Sequence, residues 1–298
     1  MNMIPQIIRI LTLATFLLPT AFSAGHAQTF IEPDATYLYV KRDTCDLFMS
    51  VYEPSAVAPA VEGKPLVMFM FGGGFEEGDR DSEWYQEWFR QLTTNGYRVI
   101  SIDYRLGLKG VGNSTIEKAS RLENAIHIAM EDLFSATEFI IDNAESLGVD
   151  PEKIVISGSS AGAITAMQAE YEICNRTALS KKLPRGFRYA GVMSFSGAVL
   201  TINGKLKYKS MPSPTLMLHG TADKIVPYKQ FRYKKSGMYG SGYIARYFKK
   251  SGFEYVMCHF TGLGHEVAGY MTKTTDLQFE FLENCVAGGK FKSQEIVR

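Results

Sequence analysis

The chain has 298 residues, 46% of them hydrophobic, and a formal net charge of +1. It reads as globular, with enough apolar material for one large α/β domain or two ordinary ones. Near-zero charge leaves no global field for nucleic acid. The basic stretches Lys205-Leu206-Lys207-Tyr208-Lys209 and Arg232-Tyr233-Lys234-Lys235 alternate with apolar residues, as solvated faces do.

At the N-terminus, Arg9 precedes an apolar run over 10–18, which is broken by Pro19 and Thr20 and followed by small residues up to Ala24-Gly25-His26-Ala27. The run is too short for a stable membrane span. Gly25 and Ala27 suit the two recognition positions of a signal peptidase. The expectation is a signal peptide over 1–27, a mature chain from Gln28, and a secreted or periplasmic location; an uncleaved anchor is the alternative. No cysteine stands at the cleavage site, which argues against a lipid anchor. Cys45, Cys174, Cys258 and Cys285 allow up to two disulfides in three connectivities, and their spacing does not resemble a zinc site. Cys258, inside an apolar run, reads equally as a small buried hydrophobe.

Strands are expected at 37–40 and 47–52, an antiparallel opening to a sheet. From there apolar runs at 66–71, 97–102, 153–157, 190–195, 215–218 and 255–261 alternate with segments of helical period. The longest helical segment, 116–147, repeats apolar residues every three or four places and stops at Gly148; shorter stripes are Tyr85, Trp88, Phe89, Leu92 and Leu277, Phe281, Leu282. Strands without a polar face, alternating with helices, predict an α/β fold with a mostly parallel central sheet covered on both faces. No linker divides the chain, so 28–298 is expected to be one domain. No insertion between Ala198 and Pro214 offers a large lid.

Gly158-Ser159-Ser160-Ala161-Gly162 follows the apolar run Ile154-Val155-Ile156 and opens onto a helical segment over 161–174. A serine on such a tight strand-to-helix turn is exposed and within reach of a base, the arrangement a nucleophile needs. By itself the pattern arises by chance in about one chain in ten at ordinary Gly and Ser content. The remaining parts must therefore be sought elsewhere.

Five histidines compete for the base. His26 leaves with the leader, His127 belongs to the long helix and His259 to a strand. His265, in Gly262-Leu263-Gly264-His265-Glu266, follows the last strand in a glycine-bracketed loop and can reach back over the carboxyl edge of the sheet; His219 is the second choice. A carboxylate must orient the imidazole, and Asp223 stands in the loop after the strand at 215–218. A turn aspartate capping nearby amides is the alternative use of Asp223, and Glu266 is the alternative acid, awkwardly adjacent to His265. Ser160, Asp223 and His265 come in the chain order of nucleophile, acid and base in α/β-hydrolases. Phe71-Gly72-Gly73-Gly74-Phe75 follows the first long strand, so the Gly73 and Gly74 N–H groups, with that of Ala161, are candidate oxyanion donors. A phosphate loop is disfavoured, because no G-K-[ST] follows and Glu76 and Glu77 would repel phosphate.

Over residues 66–286 the chain resembles serine carboxylesterases of the α/β-hydrolase superfamily, near the hormone-sensitive-lipase-like and bacterial feruloyl or acetyl-xylan esterases. The likeness rests on Gly72-Gly73-Gly74-Phe75, Ile102-Asp103-Tyr104-Arg105-Leu106, Asp150-Pro151, Gly158 to Gly162, His219-Gly220-Thr221-Ala222-Asp223 and Gly264-His265. It implies Ser160 as nucleophile, Asp223 as acid, His265 as base, and the glycine loop with Ala161 as oxyanion hole. No cofactor and no metal are implied. Phe71 stands where the family usually has histidine, Ser159 where Asp or Glu is frequent, and Ala163 where Gly is frequent. The expected substrate is a small-molecule or oligosaccharide ester with a short or aromatic acyl group, with Phe75 and Trp84 as candidate contacts. A serine exopeptidase and a non-catalytic binding protein on the same scaffold are the competing readings.

Overall fold

A computed structural model describes residues 30–58, 63–112, 115–202, 204–286 and 292–298; the leader expected over 1–27 lies outside them. The strands are β1 (Ala35–Lys41), β2 (Asp46–Tyr52), β3 (Leu66–Met70), β4 (Val99–Ile102), β5 (Ile154–Ser159) and β6 (Gly191–Phe195). They continue as β7 (Ala198–Thr201), β8 (Thr215–Gly220), β9 (Gln230–Tyr233), β10 (Ser236–Gly240), β11 (Tyr255–Phe260) and β12 (Gln294–Val297). Nine of them form one sheet in the order β1-β2-β4-β3-β5-β6-β8-β11-β12. β1, β2 and β4 pair antiparallel, and every pairing from β4 to β12 is parallel.

The helices are α1 (Glu83–Thr94), α2 (Thr115–Asp142), α3 (Ala161–Asn175), α4 (Ser241–Ser251) and α5 (Thr275–Val286). Consecutive strand residues point to opposite faces, and β3 and β6 show which helices share a face. Phe69 packs edge-on to Trp88 and Phe89 of α1, while its neighbour Met68 lies 3.9 Å from the Thr137 hydroxyl of α2. Likewise Phe195 meets Trp88, and Ser194 donates to Met167 of α3 at 3.0 Å. So α1 covers one face and α2 with α3 the other. The Trp88 indole donates to Gln278 at 2.6 Å, tying α5 to α1. Such two-sided cover is why every residue of β3, β4, β5, β6 and β8 is buried.

Some elements differ from expectation. The helical period over 116–147 breaks at Asn143; one further turn, Ala144–Leu147, ends on Gly148 in the left-handed conformation at φ 60°. A second sheet, β7-β10-β9, is antiparallel, and only two residues separate its β7 from the end of β6. β12 adds a short parallel edge beyond β11. Among the described residues, Cys45, Cys174 and Cys258 are free thiols, and no helix is long and apolar enough to cross a membrane.

Candidate active site

The parallel strands all end on one edge, and the loops leaving β3, β5, β8 and β11 carry the chemistry. After β5 the chain turns at Ser160 with φ 49° and ψ −111°, a strained conformation for a residue with a side chain. Its glycine flanks have a steric cause. A Cβ on Gly158 would lie 2.3 Å from the Gly162 carbonyl carbon, and one on Gly162 would lie 2.1 Å from the Met70 carbonyl oxygen. Only bare backbone lets α3 start this close to β3 and β5. The Ser160 N–H donates to Phe195 O at 2.9 Å, which fixes the turn to the end of β6.

Ser160 Oγ lies 2.8 Å from His265 Nε2, and His265 Nδ1 lies 2.7 Å from Asp223 Oδ2. Three residues far apart in sequence thus form one line of hydrogen bonds. Asp223 also does what a turn aspartate does: its Oδ1 accepts the N–H groups of Ile225 and Val226 at 2.8 and 3.0 Å. Each carboxylate oxygen has its own task. Burial alone would raise the Asp223 pKa, but hydrogen bonds from His219 and His265 outweigh it and hold the carboxyl well below the usual carboxylate range. With Nδ1 donating to a carboxylate, His265 presents Nε2 to the serine proton, as a general base must.

The other candidates fall elsewhere. His219 faces Asp223 from behind, with no contact to Ser160, and Glu266 is exposed beside Gly264. His259 Nδ1 lies 2.6 Å from the Tyr228 hydroxyl, and His127 lies on α2, 3.6 Å from Glu131.

Gly73 and Gly74 lie after β3 at φ 118° and 66°, beside the elbow. A Cβ on Gly73 would come within 2.0 Å of the Glu77 carbonyl oxygen, so this turn accepts only glycine. Ala161 opens α3, where the first N–H groups have no partner inside the helix. Phe75 has φ 64° and is 1% exposed, its ring edge-on to Tyr104, whereas Trp84 is 72% exposed at the start of α1.

With phenylalanine at position 71, tyrosines brace this loop. The Gly72 N–H donates to the Tyr85 hydroxyl at 2.9 Å; Tyr85 is hydrogen-bonded to Ser159, and Ser159 Oγ donates to the Ala268 carbonyl at 2.8 Å. One chain of donors therefore joins the glycine loop, the elbow and the turn carrying His265. Tyr104 donates to Phe71 O at 2.9 Å and stacks on the Phe71 ring. Sequence reasoning left Tyr85 in the buried stripe of α1 and gave Ser159 no partner. The signal for both was the missing histidine at 71.

A groove of about 510 Å³ between α2, α3 and β7, lined by Asn124, His127, Gln168, Tyr171 and Leu200, contains none of Ser160, Asp223 and His265.

A parallel sheet with a strained serine after β5 and a histidine–aspartate pair from the loops of β11 and β8 is the architecture of an α/β-hydrolase. More narrowly, the chain belongs to the BD-FAE family, a group of α/β-hydrolase-type esterases, whose model matches residues 49–199. Gut esterase 1 of Caenorhabditis elegans is 30% identical over 41% of this chain and 21% of its own length. Fumonisin B1 esterase of Sphingopyxis macrogoltabida is 26% identical over 39% of this chain and 21% of its own length. The match thus spans about a fifth of the length of these curated relatives. The solved structure of native Est2, a thermophilic esterase from Thermogutta terrifontis, superposes with a TM-score of 0.62 at 22% identity, covering 89% of this chain and 96% of that one.

Proposed function

We propose that this protein is a serine carboxylesterase working through an acyl-enzyme. In this reading Ser160 attacks the ester carbonyl, His265 takes its proton at Nε2 and returns it to the leaving alcohol, and Asp223 holds the imidazole in the right tautomer and stabilises the imidazolium. Water, activated by the same histidine, then releases the acid. The observation that carries the reading is the unbroken line Ser160 Oγ, His265 Nε2, His265 Nδ1, Asp223 Oδ2 at 2.8 and 2.7 Å. Gly73, Gly74 and Ala161 are assigned to the oxyanion, where loss of one donor typically costs about 100- to 1000-fold in rate.

Short or aromatic acyl esters, including acetyl or feruloyl groups on small molecules or oligosaccharides, are the proposed substrates. The related fold of Thermogutta terrifontis Est2 has been solved with propionate and with butyrate bound, and phosphonylated by sarin, which favours a short acyl group and a reactive serine. Trp84 enters as an exposed aromatic surface beside the glycine loop, Phe75 through the shape of that loop. The leader-like 1–27 favours secretion, and among relatives a Gibberella zeae protein is described as secreted lipase 5.

Turnover of p-nitrophenyl esters and aminoacyl p-nitroanilides by wild type and Ser160→Ala tests this. The expected result is ester turnover that nearly vanishes in Ser160→Ala with the fold intact. Full activity in that variant removes Ser160 as nucleophile. Anilide turnover in place of ester turnover makes the protein a peptidase, and turnover of neither makes it a binding protein.

A further inference from the structure

His219 takes no part in the reading above. It lies near the end of β8 with no exposed surface, and a fully buried imidazole is retained only where its nitrogens have partners. Nε2 lies 3.3 Å from Asp223 Oδ2 and 3.2 Å from the Val226 carbonyl oxygen. Both neighbours only accept, so Nε2 carries the proton. Nδ1 lies 2.9 Å from Ser241 Oγ, the hydroxyl at the start of α4 that also reaches the Gly197 carbonyl oxygen at 3.2 Å.

We propose that His219 is a positioning residue for the hydrolysis, a second imidazole that donates from Nε2 to the back of Asp223 and holds that carboxylate charged and aimed at His265. The proposal rests on the reading of Ser160, His265 and Asp223 given above. A carboxylate accepts about four hydrogen bonds; Asp223 accepts two amides on Oδ1 and the His265 imidazole on Oδ2, and the fourth place, on Oδ2, is faced by His219 Nε2 at 3.3 Å. Remove the His219 donor and the remaining charge is under-solvated. The carboxylate then gains affinity for a proton and attracts the proton of His265 more strongly.

The surroundings leave His219 as the donor on that side. The Tyr228 ring stands edge-on to His219 at 5.7 Å, and behind it Tyr228 bonds His259, which lies 3.6 Å from Glu295 of β12. Lys224, the next residue after Asp223, is exposed. His265 holds the opposite side of the same oxygen.

Activity needs Asp223 ionised and His265 neutral, so both requirements are lost as pH falls. Weakening the hold on Asp223 must therefore move the acid limb of kcat/KM to higher pH. The test compares wild type, His219→Leu and His219→Gln, each checked for folding by circular dichroism, with Ser160→Ala as control. His219→Leu is expected to lower kcat/KM about 10- to 100-fold, the range for losing a hydrogen bond to a charged group, and to move the acid limb upward. His219→Gln, whose amide can donate from the same place, is expected to restore the limb and most of the rate. A folded His219→Leu enzyme with the wild-type rate and limb overturns the proposal, as does equal damage in Leu and Gln. If His219→Leu does not fold, His219→Phe, a flat ring without a donor, takes its place. Its acid limb is again expected to rise, and an unmoved limb overturns the proposal. Activity surviving in Ser160→Ala would instead remove the underlying reading itself.

Discussion

Tyr85 shows how one side chain can brace the glycine loop that carries the proposed oxyanion donors Gly73 and Gly74. Its hydroxyl accepts the Gly72 N–H and is hydrogen-bonded to Ser159, whose own hydroxyl donates to Ala268 O. Burial pushes the Tyr85 pKa up, although the bonds to Gly72 and Ser159 oppose that, so the hydroxyl stays protonated at neutral pH. Tyr85→Phe keeps the ring that packs on Phe69 and Phe89 but leaves the Gly72 N–H without its acceptor. A lost bond of this kind costs about 1–3 kcal/mol. The expected result is kcat lowered about 10-fold or more with KM little changed, because the loop's donors matter most when the oxyanion forms. Steady-state kinetics on one ester checks it, and an unchanged kcat would separate Tyr85 from the loop's function. The sequence made Ser160, His265 and Asp223 legible because each follows a strand and chain order discriminates among alternatives. It did not single out Tyr85: phenylalanine at 71 signals that another brace is needed, but a tyrosine in a helical stripe looks the same whether its hydroxyl is idle or employed.

Legibility at the scale of elements follows burial. β3, β4, β5, β6 and β8 are wholly buried and therefore continuous in hydrophobicity, the strongest signal a strand can send. β9 and β12 are four residues each with no buried residue, and their edge positions demand no apolar run. β10 reads Ser-Gly-Met-Tyr-Gly, two glycines in five residues, and β propensity gives it no weight. Those glycines answer to packing instead. A Cβ on Gly240 would lie 1.5 Å from the Pro227 carbonyl oxygen, at the point where β10 hands the chain to α4 and so delivers Ser241 to His219. Gly240→Ala must push β10 away from the loop that carries Asp223. We expect it to destabilise the fold by about 3 kcal/mol, the upper end for overpacking. Urea denaturation should give a lower midpoint at unchanged slope, and wild-type stability would mean that the loop yields without cost.

For the molecule as a whole, two buried carboxylates pull stability in opposite directions with pH. Asp223 has a depressed pKa, so its contribution is present above the unfolded value near 3.8 and is lost as pH falls through the folded one. Glu170, on α3, is 3% exposed and behaves the other way. Burial raises its pKa above the ordinary 4.5, outweighing the Ser213 N–H at 2.7 Å and Arg188 at 4.0 Å, both on Oε1; Oε2 has no hydrogen-bond partner among the described residues. Such a group binds more protons folded than unfolded, so stability falls as pH rises from the unfolded pKa through the folded one. Glu170→Gln removes the charge while its amide oxygen can still accept from Ser213. The variant should therefore match or trail wild type in acid, where Glu170 is protonated, and exceed it at neutral pH. Melting temperatures of both proteins across that range check this. A constant offset, with no dependence on pH, would mean that Glu170 does not change its proton occupancy on folding and that its carboxylate is neutralised by Arg188.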